Sequence, residues 1–384
     1  MYELTADELS RFSRHIILPQ IGKEGQTKLK NAKVLIIGTG GLGSPIGLYL
    51  ASAGVGTIGL AEFDTVELHN LQRQILFTES EVGTSKIQNA ANRMRALNSN
   101  LTCIQHTEGI KPHNAIEVFS QYDIIIDGTD NFPTRYLNND AAVLAKKPLV
   151  YGSVLQFEGQ VSVFAPHLGA PCYRCLFPEA PKMGEVPNCA EAGVFGALCG
   201  TVGSLQAMET IKLITGIGKP LLNRLLVIDA FSMQFRTINI KSDPECPVCG
   251  SSPTITEIKS ENYTSTCEIT PKSNLTEDAP LKITVSDASD ALSLPNPPII
   301  VDVREDYERE ICSIEGSINI PLNTLIQNWE ELPKDAHILC LCHYGMRSMH
   351  AVQFLRDKGL KKVSNIEGGI NAWAIEIEPT MHRY

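Results

Sequence analysis

KVLIIGTGGLGS, residues 33–44, joins a short apolar strand pattern to a glycine-rich turn, and a helical pattern follows over residues 45–53. Gly38, Gly40 and Gly43 have the spacing G-x-G-x-x-G. Small residues allow a tight turn there, and the free N–H groups at the start of the next helix attract phosphate. The stretch therefore predicts a nucleotide-binding loop, although glycines at this spacing also mark turns that bind nothing.

Strand and helix patterns alternate after this stretch. Apolar strand patterns occupy residues 57–61, 122–127 and 148–151, and helical spacing covers residues 84–97 and the segment that ends at Gly216. Such alternation is typical of a parallel sheet covered by helices. The predicted fold class is α/β, with a Rossmann-like, mostly parallel sheet that has helices on both faces.

The length of the chain, 384 residues, is too great for one ordinary core. Residues 251–280 are rich in Ser, Thr, Glu and Pro and lack sustained periodicity, which predicts an exposed linker. We therefore expect a first domain over residues 1–250 and a smaller α/β domain over residues 281–384.

Composition argues against several classes of protein. The net charge of -10 disfavours nucleic acid as a partner. No run approaches the roughly 18 apolar residues of a membrane helix, and the first residues lack the apolar core of a secretory signal. We expect a cytoplasmic protein with no membrane partner, in which clustered cysteines are metal ligands or reactive thiols.

Charged side chains beyond the glycine turn favour ATP. Glu62 ends the second strand pattern, where a carboxylate binds ribose hydroxyls, and by itself it would favour a nicotinamide cofactor. Asp130 follows a later strand pattern and could hold Mg²⁺, while Arg73 and Lys86 could neutralise phosphates. Each of these two cations could instead be a solvated surface charge.

Five segments carry a specific resemblance. GTGGLGS, AEFDTVELHNLQRQ, GTSK, DGTDNFPTRYLNN and GSLQAMETIK resemble the MoeB/ThiF family, relatives of the ubiquitin-activating enzymes, within residues 8–250. That family adenylates the C-terminal glycine of a ubiquitin-like sulfur-carrier protein that ends in Gly-Gly. The resemblance therefore implies ATP and Mg²⁺ as cofactors, such a carrier as a partner, and a homodimer.

The same resemblance implies a role for each matching residue. Glu62 stands where the family usually has Asp, and its carboxylate keeps the ribose contact. Arg14 would reach the ATP of a partner subunit, and Asp130 would hold Mg²⁺ and act in catalysis with Arg73. The other implied nucleotide-binding residues are Gly38, Gly40, Gly41 and Gly43 in the loop, Asp64 near the ribose, and Asn70 and Lys86 at the phosphates.

The cysteines fall into two further groups of interest. Cys172 with Cys175 and Cys246 with Cys249 form a C-x₂-C…C-x₂-C set, which predicts a structural Zn²⁺ site; the alternatives are unrelated pairs or a redox motif. Cys189, in GEVPNCAEAG, has no second cysteine at ligand spacing and could be an ordinary loop cysteine. The resemblance to relatives fused to sulfur-transfer domains implies a covalent link between Cys189 and the carrier.

CHYGMRS, residues 342–348, is a second reactive loop between a strand pattern and a helical pattern. Loop N–H groups, the helix dipole and Arg347 can stabilise a Cys342 thiolate. Tyrosine phosphatases and rhodaneses both use this arrangement, and a buried structural cysteine is the remaining alternative. Phosphatase loops of the C-x₅-R type are one residue longer than Cys342-x₄-Arg347, so the spacing favours transfer of a single sulfur atom.

IVDVRE, IEGSINIP and EGGINAW, within residues 281–384, resemble rhodanese motifs. The whole chain thus resembles fusions of a MoeB/ThiF-type adenylyltransferase with a C-terminal rhodanese domain, known from molybdopterin synthesis. This implies that a Cys342 persulfide converts the adenylated carrier into a thiocarboxylate. A cysteine desulfurase or thiosulfate could supply the sulfur, and tRNA thiolation or thiamine synthesis are further possible pathways.

Three alternative functions remain open from the sequence. A ubiquitin-type activator would form a thioester at Cys189 for protein conjugation. A nicotinamide-dependent oxidoreductase would bind NAD instead of ATP. A non-enzymatic scaffold is disfavoured, because both reactive loops have their expected residues.

Overall fold

The structure is a computed structural model that describes residues 3–181, 193–263, 279–334 and 336–384. These residues form two compact units. Unit 1 takes in almost all of the described residues up to Tyr263, and unit 2 takes in those from Ala279 onwards. No helix among the described residues combines the length and apolar character that crossing a bilayer requires.

Unit 1 is built on an eight-stranded sheet. Its strands are β1 (Lys33–Ile37), β2 (Thr57–Ala61), β3 (Thr102–His106), β4 (Ile124–Asp127), β5 (Leu149–Leu155), β6 (Glu158–Phe164), β7 (Arg224–Asp229) and β8 (Gln234–Asn239). The strand order is β3-β2-β1-β4-β5-β6-β7-β8. The ladders from β3 to β5 are parallel, and those from β5 to β8 are antiparallel.

Helices cover both faces of this sheet. They are α1 (Ala6–Arg11), α2 (Ser13–Ile16), α3 (Gly22–Asn31), α4 (Gly43–Ala53), α5 (Lys86–Leu97), α6 (Ala115–Ser120), α7 (Phe132–Leu144), α8 (Tyr173–Leu176) and α9 (Gly196–Thr215). Side chains alternate between the faces of a strand, so Val34 and Ile36 of β1 join one core and Leu35 and Ile37 join the other. The first core contains residues of α4, α5 and α9, and the second contains residues of α6 and α7.

Unit 2 has a smaller, all-parallel sheet of five strands. The strands are β9 (Lys282–Ile283), β10 (Ile299–Asp302), β11 (Ile318–Asn319), β12 (Ile338–Leu341) and β13 (Val363–Ile366), in the order β11-β10-β12-β13-β9. The helices are α10 (Val285–Leu292), α11 (Asp306–Ile311), α12 (Leu322–Asn328), α13 (Met346–Asp357) and α14 (Gly369–Glu376). Val301 and Ile300 of β10 face opposite cores, so helices again cover both faces.

The predicted α/β fold with a Rossmann-like sheet and a smaller α/β unit is confirmed. Two features differ from the sequence prediction. The antiparallel half of the first sheet was not predicted, and the segment predicted as an exposed linker is partly packed onto unit 1. Tyr263 is buried there, and its hydroxyl donates to Asp140 Oδ2 at 2.8 Å. The later part of the predicted linker, residues 264–278, lies outside the described residues.

Candidate functional sites

A cavity of about 250 Å³ opens at the carboxyl ends of β1, β2 and β4 in unit 1. The strand order reverses between β1 and β4, which is where open α/β sheets bind their ligands. Gly38, Gly40 and Gly41 line one side of the cavity, and Asp130 lines another. The glycine loop and Asp130, which are parts of the predicted nucleotide site, therefore lie at the position expected for the fold.

The backbone of the glycine loop disfavours side chains at two positions. Gly38 has a φ of +83°, which favours glycine, and a Cβ on Gly43 would overlap the carbonyl oxygen of Gly38. Helix α4 begins at Gly43, and no side chain caps its first N–H groups. The N–H of Ser44 in this first turn already donates to the Gly40 carbonyl at 2.9 Å. The loop backbone at Gly40 and Gly41, which lines the cavity, is therefore the part that could bind an anion such as phosphate.

Glu62 is buried and binds the glycine loop directly. Its Oε2 accepts hydrogen bonds from the N–H and the hydroxyl of Thr39 at 3.0 and 3.1 Å. Its Oε1 accepts from the N–H groups of Phe63 and Asp64 at 2.9 and 3.1 Å. A carboxylate has about four acceptor positions, so a ribose hydroxyl would have to replace one of these donors.

Four cationic side chains line the cavity: Arg73, Lys86, Lys111 and Arg135. The Lys86 side chain is mostly buried, and its Nζ lies 3.2 Å from Asp64 Oδ2. Arg73 Nη1 donates to the carbonyl of His69 at 3.2 Å. A cluster of this charge suits a polyphosphate, and the exposed carboxylate of Asp130 supplies the hard oxygen ligand that Mg²⁺ prefers.

Asp127, at the end of β4, orders the loop that carries Asp130. Its Oδ1 accepts hydrogen bonds from the N–H and hydroxyl of Thr129 at 2.9 and 2.6 Å. Burial raises the pKa of Asp127, although the charge of Arg135 opposes this shift. Arg135 also donates from Nη2 to the Thr129 carbonyl at 3.2 Å.

Three of the predicted nucleotide-binding residues do not line this cavity: Arg14, Gly43 and Asn70. Asn70 Oδ1 accepts from the N–H of Glu67 at 3.2 Å, and its carbonyl accepts from the N–H of Arg73 at 3.1 Å. Asn70 thus shapes the turn before Arg73, and Arg14 lies on α2. Sequence reasoning missed the lining residues Gln74, Lys111 and Arg135. Gln74 and Arg135 lie within the segments AEFDTVELHNLQRQ and DGTDNFPTRYLNN, which were a signal, whereas Lys111 lies in neither.

The four predicted metal ligands form one cluster. The Sγ atoms of Cys172, Cys175, Cys246 and Cys249 all lie within 4.8 Å of one another, and the Cys172–Cys246 and Cys175–Cys249 distances are 3.5 and 3.3 Å. Tetrahedral Zn–S bonds of about 2.3 Å place sulfur atoms roughly 3.8 Å apart. The donor set therefore fits Zn²⁺.

The second reactive loop surrounds the sulfur of Cys342 in unit 2. Cys342 is fully buried after β12, and its Sγ accepts from the N–H of Gly345 at 3.1 Å and from the hydroxyl of Ser348 at 3.2 Å. Gly345 has a φ of +91°, which lets the loop turn back into α13. Ser348 was missed by sequence reasoning, although it lies directly after the predicted Arg347.

Arg347 does not contact this sulfur within hydrogen-bonding distance in the described structure; it pairs with Glu308 of α11. The two guanidinium–carboxylate distances are both 2.7 Å. The side chain of the last residue, Tyr384, donates to Glu308 at 2.9 Å and stacks on the His343 ring at 4.1 Å. Buried Arg304 pairs with Asp302 behind the loop, which agrees with a structural role for both.

Models of known protein families match both parts of the chain. A model of the ThiF family matches residues 12–248, and one of the Rhodanese-like domain matches residues 284–376. The chain belongs to the ThiF family. Its ThiF domain is therefore followed by a rhodanese-like domain.

Full-length relatives combine the same two parts. The chain is 45% identical to the probable adenylyltransferase/sulfurtransferase MoeZ of Mycobacterium tuberculosis, over 99% of this chain and 96% of that protein. It is 40% identical to the adenylyltransferase and sulfurtransferase MOCS3 of Aedes aegypti, over 100% of this chain and 90% of that protein. The predicted family and enzyme class are confirmed.

Solved structures match the ThiF domain. The crystal structure of E. coli MccB with ATP is 26% identical, with a TM-score of 0.56, and covers 64% of this chain and 75% of that chain. Membership in the ThiF family implies use of ATP, and the four-cysteine cluster could hold zinc. Cys189, the predicted covalent residue, lies outside the described residues.

Proposed function

We propose that this enzyme adenylates the C-terminal glycine of a ubiquitin-like sulfur carrier ending in Gly-Gly and then converts it into a thiocarboxylate. One observation carries the proposal: a cavity lined by a glycine loop and four cationic side chains, and a loop that donates two hydrogen bonds to a cysteine sulfur, occur on one chain. Relatives named adenylyltransferase and sulfurtransferase combine the same two domains. The structure of MccB with ATP supports ATP as the nucleotide of the first domain.

The cavity of unit 1 suits the adenylation step. The carrier carboxylate attacks the α-phosphate of ATP, a bond to phosphorus forms, and pyrophosphate leaves. Arg73, Lys86 and Lys111 would neutralise charge on the phosphates. The backbone N–H groups of Gly40 and Gly41 would bind a phosphate oxygen. Asp130 would hold Mg²⁺, which supplies further neutralisation of phosphate charge when bound.

The loop of unit 2 suits the sulfur step. A donor persulfide from a cysteine desulfurase, or thiosulfate, gives its outer sulfur to Cys342. The Cys342 persulfide then attacks the carrier adenylate, a carbon–sulfur bond forms, and AMP leaves. The Cys189 thiolate, in the role we assign to it, attacks the sulfur bonded to the carrier, so that an acyl disulfide between Cys189 and the carrier forms and the Cys342 thiolate leaves. A thiol reductant then supplies two electrons, which break this disulfide and release the thiocarboxylate.

The Zn²⁺ proposed for the four-cysteine cluster has a structural role. Its ligands come from two segments that are 74 residues apart in sequence, and they lie apart from the residues that line the cavity. Four cysteine ligands leave no open coordination position for a substrate. The carrier could belong to molybdopterin synthesis, tRNA thiolation or thiamine synthesis.

The test combines the enzyme with a candidate carrier, ATP and a sulfur donor, and the carrier is then weighed by mass spectrometry. We expect a gain equal to the mass difference between sulfur and oxygen. Asp130→Ala should abolish both this gain and carrier-dependent ATP–pyrophosphate exchange. Cys342→Ala should abolish the gain but keep the exchange, because adenylation precedes sulfur transfer.

Matched control variants distinguish these losses of activity from a loss of folded protein. Asp123→Ala changes an exposed carboxylate at the opposite end of β4, and Cys312→Ala removes another partly buried thiol of unit 2. Both controls should keep exchange and sulfur transfer. A carrier joined to lysine, in place of one with a thiocarboxylate, would replace our proposal with the conjugation alternative.

A further inference from the structure

The rhodanese-like loop, residues 342–348, contains one arginine and no lysine. That cation, Arg347, is bound by a carboxylate from another helix. Glu308 of α11 contacts it through both oxygens at 2.7 Å. The side chains are only 13% and 4% exposed for Arg347 and Glu308, so water screens the pair weakly.

Two further hydrogen bonds to its carboxylate keep Glu308 in this position, and a third contact holds one of the two donors. The Tyr384 hydroxyl donates to Oε1 at 2.9 Å, and the N–H of Glu305 donates to Oε2 at 3.1 Å. Tyr384 is held in turn by Arg304, whose Nη1 donates to the tyrosine oxygen at 2.8 Å. Burial opposes ionisation of Glu308, but Arg347 outweighs it and lowers the pKa of this carboxyl, which is therefore charged at neutral pH.

We propose that Glu308 determines the sulfur donor by neutralising Arg347, so that the loop takes sulfur from a thiol persulfide in preference to the thiosulfate dianion. This inference rests on the proposed function of Cys342 as the sulfur acceptor. Thiosulfate, a dianion, gains more affinity from an uncompensated guanidinium than a persulfide does, because the persulfide group carries at most one negative charge. Paired with Glu308, Arg347 contributes almost no net charge near the loop.

Both donors can complete the same transfer. With a persulfide R–S–SH, the Cys342 thiolate attacks the outer sulfur, the donor S–S bond breaks, and R–S⁻ leaves. With thiosulfate, the same attack on the outer sulfur releases sulfite. The chemistry therefore permits either donor, and the charge around the loop decides their relative rates.

The test measures how fast each donor loads Cys342. The full-length enzyme is mixed with thiosulfate or with cysteine persulfide, and persulfide on Cys342 is followed by mass spectrometry of the intact protein. We expect Glu308→Gln to raise the ratio of thiosulfate to persulfide rate constants on the order of tenfold. The gain should shrink at high salt, because ions screen the newly exposed charge.

Variants that remove the two charges separately and together distinguish an effect of charge from a loss of folded protein. Arg347→Gln alone leaves Glu308 uncompensated and should lower the same ratio, and the double variant E308Q/R347Q should return it to near the parental value. Glu310→Gln, at an exposed position of the same helix, should leave the ratio unchanged. Thermal melting of each variant identifies any that do not fold.

The outcomes are distinguishable. A ratio that is unchanged in E308Q and in R347Q, or a rise that is equal for both donors, overturns the role of Glu308 while Cys342 remains the acceptor. If the parental enzyme accepts sulfur on Cys342 from neither donor, the proposed function of unit 2 fails, and this inference fails with it.

Discussion

At the scale of single residues, the sulfur of Cys342 depends on two short contacts. The N–H of Gly345 and the hydroxyl of Ser348 both donate to it, and the surrounding residues exclude water from the side chain. A hydrogen bond to a charged group contributes about 1.5–3 kcal/mol. These two donors, more than a direct contact with Arg347, are what the structure offers to a thiolate.

Ser348→Ala should therefore slow the reaction of Cys342. We expect alkylation of this cysteine by iodoacetamide at neutral pH to become about tenfold slower, because one donor to the thiolate is lost. Ser317→Ala is the matched control, since that buried hydroxyl donates to the Ile314 carbonyl and not to sulfur. An alkylation rate equal to that of the parent would exclude the Ser348 contact from thiolate stabilisation.

Residue roles were only partly predictable from sequence. The glycines of the first loop could be placed, because backbone shape at Gly38 and Gly43 depends on the lack of a side chain. The contact of Glu62 with the N–H of Thr39 could not, since the two residues are 23 positions apart and meet only in the folded sheet. The contact of Asn70 with the N–H of Glu67 is local, and it was missed although the two residues are three positions apart. The direct roles of Glu62 and Asn70 toward ATP remain predictions.

At the scale of secondary-structure elements, a buried polar network joins the cysteine cluster to α7. Arg174, between the first two cysteines, donates to Asp140 of α7 from Nε and Nη2, each at 2.8 Å. The Tyr263 hydroxyl donates to the same carboxylate, and Asn139 Oδ1 accepts from the N–H of Tyr173 at 2.7 Å. The helix that follows Asp130 is thus tied to the cysteine cluster.

Asp140→Ala should destabilise unit 1 strongly. It leaves the mostly buried Arg174 without its carboxylate partner, which costs about 3–5 kcal/mol of unfolding free energy. Denaturant unfolding measures this loss. Tyr263→Phe removes a single hydrogen bond to the same carboxylate and should cost about 1 kcal/mol. Similar losses in the two variants would contradict the importance of the ion pair.

Element prediction succeeded for several apolar patterns, although the continuous apolar run of β7, residues 225–228, was not predicted as a strand. The helix expected over residues 84–97 begins at Lys86, and the long helix that was expected to end at Gly216 does so, with a φ of +78° at that glycine. The antiparallel strand β8 was missed because all of its residues are exposed. Such a strand has no buried face and so no alternation for the sequence to reveal.

At the scale of the whole molecule, the proposed homodimer makes a specific prediction about Arg14. This residue does not line the cavity of its own subunit, and we propose that it completes the site of a partner subunit. Arg14→Ala and Asp130→Ala should each lose carrier-dependent exchange. Mixed in equal amounts and allowed to exchange subunits, they should recover about a quarter of parental activity, because half of the dimers then contain one intact site.

The control is a mixture of Asp130→Ala with Lys86→Ala, two residues that line the same cavity. That mixture should recover nothing, because every site keeps one defect. Recovery in the control, or none in the first mixture although subunits exchange, would place Arg14 within its own subunit's site or outside catalysis.

The cysteine cluster also has a consequence for how the chain is synthesised. Its halves are 74 residues apart, and the second pair ends at Cys249. A ribosome-bound chain therefore carries the glycine loop and α7 long before the second half of the ligand set emerges. The proposed Zn²⁺ could then be bound only after Cys249 emerges, while unit 2 is still being synthesised. Zinc starvation should therefore yield new chains that have formed most of the first sheet but in which the two cysteine pairs are not joined by metal.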